Sequence, residues 1–203
     1  MRCLGGVLAA AAMVALLHGD VRAIAPAVRD QDIERALKLA QAREETRAQF
    51  HAPYIVRVED ATLEQIEVIS EFRRYVLTTE EKLRMGNWLF AQGIRDVQQM
   101  LKPWRGRLSL VARLRFHPQN TLSGLPPYDI AVGDPALAPL NVERTPISAL
   151  LSGKRGDRNA PLMGATIEAV FDAPSVGQTA RPVSVSLAGQ AVASVTIDFA
   201  RLE

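Results

Sequence analysis

Cysteine is almost missing from this chain: of 203 residues only Cys3 carries a thiol, and it precedes the apolar run Leu4 to Leu17. A lipid-anchored cysteine would follow such a run. Disulfides, thiolate metal sites and thiol nucleophiles are therefore excluded for everything downstream. Histidine is scarce as well. Three are present, and beyond residue 23 only His51 and His117 remain, too few for a multi-histidine metal site. Neither charge dominates: 24 Lys and Arg stand against 22 Asp and Glu, a formal net charge of +2. Such a balance leaves no electrostatic footprint for nucleic acid or an anionic membrane surface. The motifs with a mechanism behind them are also absent. There is no G-x-S-x-G, no H-E-x-x-H and no calcium loop, and Gly153-Lys154-Arg155 lacks the flanking residues of a phosphate loop. No cofactor is implied, and no internal repeat is visible.

What is present begins with a leader. Met1-Arg2 supplies positive charge, Leu4 to Leu17 is free of charge, and Val21-Arg22-Ala23 offers small residues where a signal peptidase reads. Residues 1–23 are expected to be a secretory signal cleaved after Ala23, because the run is too short for a permanent span. Cleavage removes Arg2, Arg22 and Asp20, lowering the formal net charge from +2 to +1. The expected location is periplasmic or extracellular. An exported chain of this size without disulfides must be stabilised by burial, and about 70% of its unfolded surface can be buried.

Residues 24–106 read as mainly helical. Asp30 is expected to cap a helix whose apolar stripe is Ile33, Ala36, Leu37 and Ala40. Two short strands are expected at Tyr54 to Val58 and Glu64 to Ile69, with Asp60-Ala61-Thr62 as their turn. Glu71 to Lys102 is the best-organised stretch. Phe72, Thr79, Gly86, Gly93 and Met100 form one series, and Val76, Leu83, Phe90, Val97 and Trp104 the other. Together they make one face of a long central amphipathic helix, notched at Gly86 and Gly93 for close approach of another element. A break at Gly86-Asn87 is the competing expectation, since an interior glycine costs about 1 kcal/mol relative to alanine. Thr78-Thr-Glu-Glu81 offers a competing helix start.

Residues 107–203 change to β character. Leu108, Leu110, Ala112, Leu114 and Phe116 alternate with polar partners, the cleanest strand pattern in the chain. Further strands are expected at Tyr128 to Val132, Leu140 to Arg144 and Met163 to Phe171. Val183 to Leu187 and Val192 to Phe199 should form a hairpin about Ala188-Gly189-Gln190. Ser152 to Pro161 reads as an exposed polar loop. The expected fold is α+β: an N-terminal helical part with the long helix, then a C-terminal antiparallel β-sandwich.

One constellation has ligand-binding character. Arg113, Arg115 and His117 share strand parity and point to one face about 7 Å apart. With Tyr128 and Asp129 nearby they form a candidate anion site for a carboxylate or phosphate group. The plainer reading is a solvated strand face whose arginines pair with Glu64 and Glu67. Trp88 and Trp104 are either the lining of a ligand groove or, as the size of their rings favours, core. Glu80-Glu81 is explained by a helix start stabilised by acidic side chains. Arg155-Gly156-Asp157 matches an adhesion tripeptide, a short and unspecific signal. Together these features suggest a non-catalytic binding or envelope-associated module whose partner is another protein or an envelope component. The alternative is a small secreted hydrolase using carboxylate and His117 chemistry.

Overall fold

The computed structural model describes residues 28–88, 94–122, 124–148 and 161–202. The leader, Gly93, the Arg155-Gly156-Asp157 tripeptide and all of the Ser152 to Pro161 loop except Pro161 lie outside the described residues.

Helix α1, Asp30–Ala40, starts one residue after Arg29, whose backbone N–H donates to the Asp32 carboxylate at 3.2 Å. The predicted stripe is its buried face: Ile33, Ala36, Leu37 and Ala40 are all inside. Helix α2, Glu44–His51, buries none of its residues. Strands β1, Ile55–Arg57, and β2, Leu63–Ile69, follow as a hairpin, and the Asp60 carboxylate accepts the N–H groups of Thr62 and Leu63 at its turn.

Helix α3 is Glu71–Arg84, and the Ser70 side chain caps it by accepting the Arg73 N–H at 3.2 Å. The competing start at Thr78 fails because Thr79 lies inside the helix and bonds back to the Tyr75 carbonyl. The long central helix is not formed. Gly86 takes φ +80°, its N–H donates to the Leu83 carbonyl, and the Asn87 N–H donates to the Lys82 carbonyl. This left-handed termination closes α3. Helix α4, Ile94–Leu101, then buries Val97 and Leu101 while Met100 is exposed. The predicted seam is buried at Phe72, Val76, Thr79 and Val97, whereas Gly86 and Met100, which it also placed inside, are exposed; Phe90, like Gly93, lies outside the described residues.

Among the described residues eight strands form two sheets, all antiparallel. Strand β3, Arg107–Arg115, pairs with both β2 and β6, Leu162–Asp172, and β6 pairs with β5, Asn141–Ser148. The five-stranded sheet has the order β1-β2-β3-β6-β5, so it crosses the change in character near residue 107. Strand β4, Tyr128–Val132, joins the hairpin of β7, Ala180–Leu187, and β8, Gln190–Asp198, in a three-stranded sheet. The short helix α5, Ala173–Val176, links β6 to β7. β5 is an exposed edge strand, carrying Pro146, Glu143 and Arg144, the residue types that discourage edge pairing.

The sequence therefore folds as mixed α+β with antiparallel sheets. Leu108, Leu110, Ala112, Leu114 and Phe116 join Ile130, Val132, Val183, Val185 and Ile197 in one apolar core shared by both sheets. Phe72, Tyr75 and Val76 of α3 join the α1 stripe, Val97 and Leu101 in a second core, and Phe50 touches both. Among the described residues no helix is long and apolar enough to cross a membrane.

Candidate functional site

Helix α3 presents apolar side chains to α1 and two arginines to the sheet. Arg74 Nη2 donates to Ser109 Oγ at 2.5 Å and to Glu168 Oε1 at 3.2 Å, and its guanidinium lies 3.6 Å over the Trp104 ring. Arg73 is almost fully buried, 1% exposed. Its Nη2 donates to Glu67 Oε1 at 2.5 Å, its Nη1 to the Val68 carbonyl, and it lies over the Tyr54 ring. Burial pulls both guanidinium pKa values down from their usual range, opposed by Glu67 and Glu168 respectively. Each stays charged, because an arginine does not give up its proton in a protein.

The third contact of Arg73 fixes a protonation state. Its Nε donates to His51 Nδ1 at 3.2 Å. A guanidinium only donates, so Nδ1 carries no proton and Nε2 holds the ring's hydrogen. Nε2 in turn donates to Glu80 Oε1 at 3.2 Å, and Arg47 Nη1 lies 3.6 Å from the same oxygen. Glu67, Arg73, His51, Glu80 and Arg47 thus form one chain from β2 through α3 to α2. A carboxylate–histidine pair of this kind can serve as a general base only through the free nitrogen. Here Arg73 occupies that nitrogen.

The outer end of the chain opens into a cleft of about 670 Å³ between the α1–α2 turn and the last turns of α3. Ala40, Ala42, Leu77, Leu83 and Trp88 supply its apolar surface, and Arg47, Arg84, Glu80 and Glu81 its charges. Two expectations are corrected here. Trp88 is not core: it is 66% exposed, as is Met85 beside it. Glu80 and Glu81 lie toward the end of α3, not at a helix start. Trp104 is half-buried beneath Arg74.

The predicted anion site is placed as follows. Arg113 and Arg115 are exposed on one face of β3, and both reach a single carboxylate, Glu64, at 3.3 and 3.5 Å. His117 is exposed, and its Nδ1 accepts the Gln119 N–H at 3.1 Å. Tyr128 is buried and stacked on Phe116, and burial raises its phenol pKa. Asp129 pairs with Arg144 of β5, whose Nε also donates to the Tyr128 carbonyl at 2.8 Å. The strand brings the two arginines together around Glu64, whereas Tyr128 and Asp129 tie β4 to β5. Sequence reasoning missed His51 and Arg73. Their signal was slight: a histidine at the end of a polar helix and a basic pair next to apolar Phe72.

Comparison with known family models, curated proteins and solved structures returns no match.

Proposed function

We propose that the protein is an exported, non-catalytic binding module that holds a partner protein in the cleft between the α1–α2 turn and the end of α3. In this reading the two sheets face each other as a small antiparallel sandwich and serve as a platform. The helical layer carries the recognition surface. The observation that carries the proposal is Trp88, two-thirds exposed on the wall of a cleft whose other apolar surfaces are Ala40, Ala42, Leu77 and Leu83. Burying a tryptophan against a partner contributes on the order of 2–3 kcal/mol, and such rings dominate interface energetics. Charges of both signs around an apolar floor suit a polypeptide segment better than a small anion. The leader supports export, and the absence of cysteine beyond residue 3 is compatible with a protein stabilised by burial alone.

The test uses an apolar probe followed by amide NMR. Anilinonaphthalene sulfonate should bind saturably and shift amides of residues 40–47 and 77–88, and Leu77→Lys should abolish the effect. Shifts confined to the β4-β7-β8 sheet, or no saturable binding, would overturn the assignment of the cleft.

A further inference from the structure

We propose that α2 is an acid-released latch beside the cleft: protonation of His51 ejects its ring from Arg73 and frees the helix that supplies Arg47 to the cleft lining. The role given to the released helix rests on reading the cleft as the binding surface, whereas the latch itself rests on the His51 geometry.

Helix α2 is anchored at its C-terminal end, where Phe50 packs against both cores and His51 bonds to α3. None of its residues is buried, and Arg47 Nε is enclosed without a hydrogen-bond partner. Its attachments include Phe50 against Tyr54 and Phe72, Arg47 against Glu80, and the two nitrogens of His51. The groups that meet the imidazole are Arg73 and Glu80 from α3 and the Phe50 ring of α2 itself, with Arg47 on the same Glu80 oxygen and Glu67 of β2 behind Arg73.

A second proton can only enter at Nδ1, the nitrogen that accepts from Arg73. Acceptor then becomes donor, and two N–H groups on two cations face each other at 3.2 Å. Arg73 cannot yield, because it is buried and fixed by Glu67 and the Val68 carbonyl. The histidine side chain is 16% exposed and lies at the end of its helix, so the ring turns outward. The Glu80 carboxylate, already on Nε2, can follow the ring as an ion-pair partner, an interaction that contributes little once exposed to solvent. Ala42 and Arg47, both lining the cleft, move with α2.

Hydrogen exchange of the full chain, corrected for the intrinsic pH dependence, reads the latch at about pH 7.5 and about pH 5. Protection of amides 47–51 should fall by about tenfold or more at the lower pH while 74–84 stay protected, as expected of a local opening. In His51→Gln the amide can accept from Arg73 and donate to Glu80 without titrating, so protection should be the same at both values. Unchanged protection in the parent, or an equal fall in His51→Gln, would overturn the latch. Ring ¹⁵N shifts of the parent protein give a check independent of any variant. The proton should sit on Nε2 at the higher pH, and an Nδ1–H tautomer would refute the proposal. A failed probe titration with an intact pH response would refute the cleft assignment and leave the latch standing.

Discussion

Gly164 shows how tightly the central strands are fitted. A Cβ at this position would lie 2.2 Å from the Leu114 carbonyl oxygen, a backbone atom fixed in the β3–β6 ladder. Gly164→Ala should therefore destabilise the protein by about 3 kcal/mol or more in urea unfolding, at the upper end of overpacking costs. A loss below about 1 kcal/mol would mean that the strands part easily. Glu71 makes a different residue-scale prediction. Burial raises its carboxyl pKa above the ordinary 4.5, opposed by the Gly106 N–H, which donates at 2.8 Å, and by Arg105. An acid whose folded pKa is raised binds more protons folded than unfolded, so its contribution weakens as pH rises from the unfolded through the folded value. Glu71→Gln keeps an acceptor for Gly106 and removes the buried charge. The stability of the variant relative to the parent should grow as pH rises from about 4 to 7. A pH-independent difference would contradict the assignment.

At the scale of elements, the end of α3 decides the helical layer. Gly86 has open space where a Cβ would go, so its demand is the left-handed φ of +80° and not a close neighbour. Gly86→Ala and Gly86→Leu should both cost about 1–2 kcal/mol, with Asn tolerated better. A much larger loss for Leu than for Ala would restore the packing notch that the heptad pattern suggested. That pattern misled because counting in sevens assumes an unbroken helix: the turn at Gly86 ends α3 and leaves Gly86 and Met100 of the first series exposed, while Val97 of the second stays buried beside Leu101. The Arg73 chain was illegible for another reason. A polar side chain carries no periodic signal, and only the approach of β2 and α2 turns Arg73 into the largest fully buried side chain of the described residues. Glu67→Ala would leave that cation uncompensated and should destabilise by about 3–5 kcal/mol, more than Glu67→Gln. Equal, small losses would mean that water reaches Arg73.

For the whole molecule, the β half was readable because each central strand buries one face, so a period of two is imposed directly on the sequence. The change in character near residue 107 was also visible in the sequence. Its incorporation into one sheet was not, because strand partners far apart in the chain leave no local trace. The cleft was half legible: Trp88 and Glu80 stood out as residues, but only the termination at Gly86 exposes the one and places the other in the cleft wall. The central claim, a partner protein held in that cleft, is tested most directly by a photo-crosslinking residue at position 88 in cells of the source organism, with Arg113 substituted likewise as the control face. One dominant protein adduct from position 88 and none from position 113 is the predicted result. Adducts from position 113 with none from position 88 would contradict it.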